Sequence, residues 1–576
     1  MGLCYTILMD KSIERRVKFL AIATGIALIA IAGRLFGMQV INHEQFVIAA
    51  EQNQTRQWTL HAARGTIYWR DGNVNVPAVL NEQVYLVFVD FAMVENRAET
   101  RAVIERTIQA GARFDEAMDA RRSRYVILAR NVPRAIAEEI RSGGVTGIGF
   151  EEGTRRVYPE GTLGSRILGF VNHEGVGLYG VEGAFNNQLT GTDGTRRAIT
   201  DLRNVPLTVA TDQILIPPED GQPVRLTIDR NIQVMAEGAA RRWAAYHSAE
   251  FVDIIVKRAS NGEVLAMASR DGFDPANFQR YDTSRFTNPV LIDAYEPASV
   301  MKTPTFAAAL SLGVLRPTDT FINHRQQTID GMLVRNADDR HSGAVQTFQE
   351  AMDWSFNTGS VEMLRRMGGG ELNQTGRQHL YDMFSRLGFG RRTGIELPES
   401  AGFVSRPESA ARFAINHCFA NMTFGQCTSM SMLQIANAYS AMVNGGTLFR
   451  PTIIQGQGGE VLDQNIVTDT ISRELRESLH TSFNLFQAAR RPPFTEMYCG
   501  GKTGTAQVVN PAGGYFDDRL TGSFFGFCVE EEGMMPDLIV GVRYGGPGLL
   551  GSGSGAKMIW RDLLAELMPY WRGVVY

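Results

Sequence analysis

One segment near the amino terminus restricts what this chain can fold into more than any other. Residues 19–33 form an uninterrupted run of apolar or small side chains, and apolar residues continue to Met38. This approaches the roughly 20 residues that a bilayer-spanning helix needs. Basic residues ending at Lys18 precede the run, and short basic flanks stay in the cytoplasm. We therefore expect one membrane helix over residues 19–38 and a cytoplasmic tail over residues 1–18, with the rest of the chain on the outer face of the inner membrane.

A cleaved signal peptide is the alternative interpretation of this segment. Its apolar region would be shorter and would end at a cleavage site of the small-x-small type. Here Arg34, Leu35 and Phe36 follow instead. The sequence therefore favours an uncleaved anchor.

Length and composition exclude several classes of protein. At 576 residues the chain is too long for one hydrophobic core, and two to four domains are expected. A net charge of -4, without an acidic or basic block, gives no sign of a nucleic-acid partner. Five cysteines without a C-x-x-C pair, and nine histidines without ligand spacing, predict buried thiols rather than a disulfide framework or a metal site.

The pattern of the chain changes near residue 220. Residues 39–220 mix short β-like runs, charged helical stretches and glycine-rich turns, which indicates an elongated α+β region. A Pro-Pro-Glu-Asp-Gly stretch at 217–221 ends it, and a second domain is expected over residues 221–576. Its strands are predicted near both ends, at 224–228, 251–256, 263–268, 503–509, 522–529 and 538–544. With a final helix over 556–568, this arrangement favours an antiparallel sheet flanked by helices.

The first chemical motif is S-x-x-K, from Ser299 to Lys302. The alanine-rich run over residues 306–315 predicts a helix, so Ser299 is expected at its start, with Lys302 on the same face. A serine hydroxyl needs a base to become a strong nucleophile, and a neutral lysine amine can be that base. Lowering a lysine pKa from about 10.4 to near 7 requires burial or nearby positive charge.

The second motif is S-x-N, at Ser355 and Asn357, after a predicted helix over 345–354. The Ser355 hydroxyl can relay a proton from the base to a leaving amine, and the Asn357 amide can bind a peptide backbone. Ser and Asn are also common helix caps, so this motif alone is consistent with either a catalytic role or a capped helix end.

The third motif is K-T-G-T, from Lys502 to Thr505, at the start of a predicted strand. Alternation places Thr503 and Thr505 on one face, where they could bind a substrate carboxylate, and Gly504 would let a ligand approach the backbone. Lys502 is expected to reach the other way, towards Ser355. Its charge would then help to keep Lys302 neutral.

Three such motifs in this order are typical of penicillin-binding proteins and related lactamases. The chain resembles the class B penicillin-binding proteins, and most of all their septal, division-specific branch. Tyr295-Glu296-Pro297-Ala298-Ser299 resembles the family sequence Y-E-P-G-S, with Ala298 in place of the usual glycine. Further similarities are spread over the chain: 226–229, 274–277, 425–426 and 444–446 resemble signatures of the catalytic domain, and 64–67, 158–159 and 180–183 resemble pedestal motifs.

The chain also departs from the family pattern at three further places. Trp69 stands where an aspartate is usual, and Cys427 often corresponds to a glycine. A Gly-Ser-Gly-Ser-Gly stretch at 551–555 replaces a usual glycine-then-alanine stretch. These differences affect pedestal packing and substrate preference, and none removes a catalytic group.

The resemblance implies an α/β fold: one transmembrane helix, an elongated pedestal and a penicillin-recognising serine transpeptidase domain. It implies that Ser299 attacks the penultimate D-alanine of a peptidoglycan stem peptide, that Lys302 is the base, and that Ser355 and Lys502 assist. The backbone N–H groups of Ser299 and Thr505 would stabilise the oxyanion. β-Lactams would acylate the same serine, and neither a metal nor an organic cofactor is required. Glycan polymerisation would come from a polytopic membrane glycosyltransferase, together with other divisome proteins.

Two alternatives remain at this point. A D,D-carboxypeptidase or β-lactamase uses the same motifs, although neither usually carries such a pedestal behind an uncleaved anchor. A β-lactam sensor or a division scaffold would have no catalytic turnover. The pedestal motifs and the short cytoplasmic tail disfavour the sensor, and the intact set of motifs disfavours the scaffold.

Overall fold

A computed structural model of the chain describes residues 11–45, 55–120, 124–199, 214–337, 341–408, 414–485, 496–510, 513–547, 549 and 552–575. By contacts the chain divides into two units, of which the first contains residues 1–63 and 191–220. The second contains residues 64–190 and 221–576 and includes all three motifs.

The described α-helices are α1 Lys11–Phe36, α2 Arg97–Ile108, α3 Gly111–Ala120, α4 Arg134–Ser142, α5 Ser165–Leu168, α6 Gly180–Ala184, α7 Asn186–Leu189, α8 Arg230–His247, α9 Pro289–Ile292, α10 Lys302–Ser311, α11 Phe348–Asp353, α12 Asn357–Met367, α13 Gln374–Arg386, α14 Ile415–Met422, α15 Met432–Val443, α16 Asp469–Leu485 and α17 Ser552–Val575. Short 3₁₀ turns are Phe91–Met93, Pro275–Arg280, Thr283–Arg285 and Ala298–Met301, and a π turn is Gly37–Ile41.

The described strands are β1 Thr55–Leu60, β2 Ile67–Asp71, β3 Val74–Val89, β4 Val126–Pro133, β5 Ile148–Val157, β6 Phe170–Val171, β7 Gly177–Leu178, β8 Gly194–Ile199, β9 Ile214–Ile216, β10 Val224–Asp229, β11 Phe251–Arg258, β12 Val264–Ser269, β13 Thr320–Ile322, β14 Gln326–Ile329, β15 Met332–Arg335, β16 Val345–Thr347, β17 Leu448–Phe449, β18 Val461–Asp463, β19 Tyr498–Val509, β20 Tyr515–Val529 and β21 Leu538–Pro547.

The amino-terminal helix extends beyond the predicted apolar run. A stretch from Ile13 to Ile41 is long and apolar enough to cross a membrane, with a mean hydropathy of 2.1 in its most apolar window. None of that window is buried against the rest of the protein. The helix begins before the apolar run because residues 11–18 include Lys, Glu and Arg, which are good helix formers.

In the first unit, β1, β8 and β9 form a three-stranded sheet in the order β1-β8-β9. Both neighbouring pairs are antiparallel. Strand β1 runs opposite β8 from Thr55, which faces Ile199, to Leu60, which faces Gly194.

The central sheet of the second unit is antiparallel, as predicted, and has the order β12-β11-β21-β20-β19. Strands from both ends of the domain therefore lie side by side. Strand β19, which carries the K-T-G-T motif, is at the edge. An edge strand presents a row of backbone N–H and C=O groups to which another chain can bond.

Apolar side chains on the two faces of this sheet belong to two cores. On one face, Ile255, Phe525 and Ile539 pack with the helices from α10 to α15. On the other face, Ile254, Val542 and Phe524 pack with α8 and α17. The alternation of side chains along each strand thus produces a helix–sheet–helix sandwich with α10 buried on one side.

A second mixed sheet of this unit contains β10, β2, β3 and β4 in that order, with β5 also paired to β3. Strand β10 runs parallel to β2, whereas the other pairs are antiparallel. Trp69 on β2 is only 1% exposed, and a Cβ on Gly164 would lie 2.6 Å from its ring. The tryptophan that departs from the family pattern is therefore accommodated in the core because the facing residue is glycine.

Three predicted helices of the second unit have different bounds in the structure. The helix expected over 345–354 is wrong at its start, because residues 345–347 form β16 and Thr347 caps α11 through a capping box with Glu350. The helix expected over 306–315 already begins at Lys302 and ends at Ser311, before Gly313 in the left-handed region. The final helix is longer than predicted and includes Ser552, Gly553, Ser554 and Gly555.

The prediction of unpaired buried thiols was wrong for four of the five cysteines. Cys418 is bonded to Cys427, and Cys499 to Cys528. The second pair arises because these residues face each other in the β19–β20 register, which spacing along the sequence does not reveal. Cys4 lies outside the described residues. Disulfides are typical of proteins that fold in an oxidising compartment outside the cytoplasm.

Candidate active site

Ser299 lies in the 3₁₀ turn that leads into α10, at the position that the sequence predicts. The turn begins with Ala298, whose φ of +55° places it in the left-handed region. The carbonyl oxygen of the preceding Pro297 contacts β19 at Gly504, where an added Cβ would lie 2.5 Å from that oxygen. The nucleophile candidate is thus held directly beneath the edge strand.

Lys302, the first residue of α10, is fully buried. Its amine donates to the Oδ1 of Asn357 at 2.8 Å and to the Ser355 carbonyl oxygen, and its Nζ lies 3.0 Å from the Oγ of Ser355. The S-x-x-K and S-x-N motifs therefore meet at one amine, although more than 50 residues separate them in the sequence.

Lys502 approaches the same hydroxyl from the sheet. Its Nζ donates to the Oγ of Ser355 at 3.0 Å, so the predicted contact is confirmed. Ser355 itself has a φ of +61°, an unusual conformation for a serine, which lies in the turn between α11 and α12. One hydroxyl thus lies within hydrogen-bond distance of two buried lysine amines.

The electrostatics of this group favour a neutral base. Burial, and after it the positive charge of Lys502, holds the pKa of Lys302 well below its ordinary value. Burial also lowers the pKa of Lys502, to about 8, while Asp353 opposes that shift. The arrangement therefore favours loss of a proton from Lys302, whereas Lys502, with a pKa of about 8, is largely protonated at neutral pH.

The remaining predicted binding residues have roles that are partly structural. The Nδ2 of Asn357 donates to the Arg335 carbonyl oxygen at 3.0 Å. Thr505 accepts a bond from the backbone N–H of Gly553 at 3.0 Å. The close backbone approach expected at Gly504 is made by the protein's own Pro297 carbonyl rather than by a ligand. Thr503 is partly exposed on the same edge strand.

Two family models match the chain. The penicillin binding protein transpeptidase domain matches residues 254–565, more than half of the chain, and the penicillin-binding protein dimerisation domain matches residues 59–226. The chain belongs to the penicillin-binding protein transpeptidase family.

Relatives of this penicillin-binding protein match it over most of their length. Stage V sporulation protein D of Bacillus subtilis is 28% identical and covers 93% of this chain and 82% of its own. The probable peptidoglycan D,D-transpeptidase PenA of Neisseria gonorrhoeae is 26% identical, with coverages of 92% and 88%. The peptidoglycan D,D-transpeptidase FtsI of Escherichia coli is 25% identical, with coverages of 87% and 83%.

Solved structures show the same fold. Penicillin Binding Protein 2X of Streptococcus thermophilus matches with a TM-score of 0.72 at 20% identity, over 90% of this chain and 81% of that one. Penicillin binding protein 3 of Mycobacterium tuberculosis, complexed with aztreonam, matches with a TM-score of 0.64 at 23% identity, over 89% and 97%.

Two departures from the family's glycines lie beside each other in this penicillin-binding protein. A Cβ on Gly425 would lie 2.3 Å from the Ala298 carbonyl oxygen, so the 425–427 loop packs against the turn of Ser299. Cys427 has a φ of +57°, and its backbone N–H donates to Glu296 at 3.0 Å. The disulfide to Cys418 fixes the side chain of this left-handed residue.

Glu296 is a site residue that the motif analysis quoted without a role. Its second carboxylate oxygen accepts a bond from the Tyr515 hydroxyl at 2.9 Å. The carboxylate therefore links the segment before Ser299 to the Cys427 loop and to the β19–β20 hairpin. Burial raises the pKa of this carboxyl group. Only its position three residues before Ser299 could have marked it in the sequence.

Proposed function

We propose that this chain is a peptidoglycan D,D-transpeptidase in which Ser299 forms the acyl-enzyme and Lys302 is its base. The observation that carries this proposal is the Ser355 hydroxyl between two buried amines. The relatives PenA and FtsI bear the name of this activity, and the family model supports it. In the reaction, Ser299 attacks the carbonyl of the penultimate D-alanine, the terminal D-alanine leaves, and an amine of a second stem peptide then attacks the ester.

The contacts of Lys302 suit a base. A neutral amine has two N–H bonds and one lone pair. The Ser355 carbonyl and the Asn357 amide oxygen can accept the two N–H bonds, which leaves the lone pair to take the proton of Ser299. The Ser355 hydroxyl, 3.0 Å from the same amine, can pass that proton to the leaving D-alanine.

Lys502 completes the proton route. It donates to the Ser355 oxygen at 3.0 Å and so stabilises the negative charge on that oxygen when Ser355 has given up its proton. Its charge also opposes protonation of Lys302 before the serine has reacted. The positive charge of Lys502 therefore acts on two groups: it stabilises the deprotonated Ser355 oxygen, and it opposes protonation of Lys302.

Substrate binding follows from the edge position of β19. A stem peptide can add to this edge as a further strand, with Thr503 and Thr505 at its terminal carboxylate, Gly504 between them and Asn357 on the opposite side. The backbone N–H groups of Ser299 and Thr505 would hold the oxyanion. Donors of this kind are worth about 3–4 kcal/mol in other acyl-transfer enzymes.

The cellular role follows from the anchor and the relatives. We place the chain in the inner membrane by residues 19–38, with residues 1–18 in the cytoplasm, a pedestal over 39–220 and a periplasmic catalytic domain over 221–576. Resemblance to FtsI supports work at the septum with other divisome proteins. The two matched families are a dimerisation and a transpeptidase domain, so glycan chains would come from a polytopic glycosyltransferase.

Labelling with a fluorescent penicillin tests the assignment of the nucleophile. The full chain in detergent should be labelled covalently, with the adduct mapped by peptide analysis to Ser299. Ser299→Ala should abolish labelling and leave the unfolding temperature nearly unchanged. Ser311→Ala, at the exposed end of the same helix, is the matched control and should label normally.

The lifetime of the adduct separates the proposal from its alternatives. A transpeptidase that excludes water should keep the adduct for many minutes, and purified peptidoglycan precursor should yield cross-linked dimers. Rapid turnover of the penicillin, or release of D-alanine without cross-links, would show a hydrolase. Labelling that survives Ser299→Ala would remove the nucleophile assignment.

A further inference from the structure

A cavity of about 290 Å³ lies beside the catalytic centre, at the start of the K-T-G-T motif. Lys502 and Thr503 of β19, Asp353 of α11 and Lys557 of α17 all line it. The reaction described above uses Lys502 from this cavity but leaves Asp353 and Lys557 without a role.

Both of these charged side chains are fixed in place. The amine of Lys557 donates to the Phe483 carbonyl oxygen at 3.0 Å and lies 4.3 Å above the ring of the same residue. Lys557 is only 8% exposed. The carboxylate of Asp353 accepts bonds from the Ser482 hydroxyl at 2.6 Å and the Gln349 amide at 2.7 Å. Their charges therefore have defined positions around the cavity.

We propose that Lys557 and Asp353 are an opposed pair of positioning residues for the transfer reaction. From two different helices that line the cavity, their charges set how firmly Lys502 holds its proton, and so how well Lys502 serves Ser355. This inference rests on the proposed function, because it matters only if Lys502 assists acyl transfer.

The surroundings of Lys502 support this arrangement. Its charged neighbours are Lys302 on α10, Asp353 on α11, and Lys557 and Arg561 on α17, whereas α16 contributes the neutral Ser482. Burial is the main cause that lowers the pKa of Lys502 to about 8; Asp353 raises this pKa and Lys557 lowers it. Burial and Arg561 in turn lower the pKa of Lys557 to about 8.

A pKa this close to neutrality makes the pair effective. Near pH 8, a shift of half a unit in the pKa of Lys502 changes its protonated fraction substantially, whereas at an ordinary lysine pKa the same shift would change nothing at neutral pH. The two neighbours therefore act where the catalytic group is most sensitive.

The test is the pH profile of acylation by a fluorescent penicillin, measured as the second-order rate constant on the full chain in detergent. The alkaline limb of this profile should report Lys502. Lys557→Met removes a positive neighbour and should move this limb to higher pH by about half a unit or more. Asp353→Asn removes a negative neighbour and should move it to lower pH. Lys557→Arg keeps the charge and is expected to retain the limb of the parent protein.

Opposite shifts distinguish this electrostatic role from a structural one, since general loosening of the fold would not displace the limb in two directions. An unmoved limb in both charge-removing variants, or shifts of the same sign, would overturn the inference while leaving Ser299 labelling intact. If Lys557→Met does not fold, an unmoved limb in folded Asp353→Asn would overturn it alone. Absence of labelling at Ser299 in the parent protein would instead overturn the proposed function.

Discussion

Two buried polar clusters of the second unit differ in whether their charged groups have a partner of opposite charge. In the pedestal region, Glu182 is fully buried and accepts bonds from Arg64 at 2.7 Å and Arg156 at 2.8 Å. In the catalytic cluster, Lys302 and Lys502 meet at one hydroxyl without a carboxylate between them. A buried charge that is bonded to opposite charges fixes the structure, whereas burial and a neighbouring amine lower the pKa of Lys302, which suits a base.

This comparison changes the meaning of two family motifs. Arg64 and Glu182 resemble pedestal signatures, and a role in contacting a partner protein is one interpretation of them. Their side chains are only 9% and 0% exposed and they bond each other. A partner could not reach the carboxylate without opening the core, so the proposed glycosyltransferase contact has to be sought on other residues.

The largest effect is expected from Lys302→Met. Methionine fills a similar volume but cannot take a proton, so the rate of acylation should fall by about 10²–10⁴-fold. The temperature of unfolding should change little, because the variant also removes a buried amine. Stopped-flow labelling and thermal unfolding of the same preparation measure both quantities. A large loss of stability with modest loss of rate would break the comparison, since Lys302 would then be structural.

Glu182→Gln should show the reverse pattern. It leaves the buried Arg64 and Arg156 without a negative partner, and breaking such a group costs about 3–5 kcal/mol. The unfolding temperature should therefore drop markedly, while the labelling rate of the folded protein stays near that of the parent. Glu152→Gln, an exposed position on β5, is the control and should be within about 0.5 kcal/mol of the parent. Equal stabilities of the two variants would contradict the ion-cluster interpretation.

Another buried amine, that of Lys257 on β11, sharpens the comparison because it has neither a catalytic role in our proposal nor a carboxylate in bonding distance among the described residues. Its Nζ lies 3.2 Å from the Arg258 carbonyl oxygen and 3.4 Å from the Ser440 hydroxyl. Burial lowers its pKa to about 7. The unfolded chain, with a pKa near 10.5, binds more protons between these values, so the free energy of unfolding should rise with pH from about 7 to 10.5.

Lys257→Met should remove this cost. We expect the variant to be more stable than the parent by about 1–4 kcal/mol at pH 7, with a gain that shrinks towards pH 10. Thermal unfolding at several pH values provides the measurement, and the pH dependence serves as its own control. A variant that is less stable than the parent at every pH would show that the two hydrogen bonds of the amine outweigh its burial.

The candidate catalytic groups could be picked out in the sequence because each motif has a chemical signature. Lys302, Ser355, Asn357 and Lys502 come together as the motifs predict, and Ser299 lies in the turn that leads to Lys302. The antiparallel sheet was likewise predictable from alternating apolar runs at both ends of the domain. Local patterns were sufficient for these features.

Features that depend on register or on distant neighbours were not predictable in this way. The pairing of Cys499 with Cys528 follows from strand register. The fit of Trp69 depends on Gly164, and the closeness of Asp353 and Lys557 to Lys502 depends on how α11 and α17 pack. No spacing along the chain encodes such contacts between remote segments.

The smallest effect is expected at Ala298, which precedes Ser299 and has a left-handed backbone conformation. A non-glycine residue at a φ of +55° costs about 1–2 kcal/mol, and glycine is the usual family residue here. Ala298→Gly should relieve this cost, although the greater freedom of glycine in the unfolded chain returns about 0.4–1 kcal/mol. The net gain in the free energy of unfolding is therefore about 1 kcal/mol or less.

The labelling rate of Ala298→Gly should stay within about twofold of the parent, because two backbone contacts also hold the turn. Gly504 packs against the Pro297 carbonyl, and Gly425 packs against the carbonyl of residue 298 itself. Chemical denaturation and penicillin labelling of the variant measure the two effects. Ala298 is only 5% exposed. A loss of stability together with slower labelling would mean that its methyl group positions the nucleophile by packing, and that backbone strain has the smaller effect. A faster rate with unchanged stability would instead show that the strained turn holds Ser299 away from its best geometry.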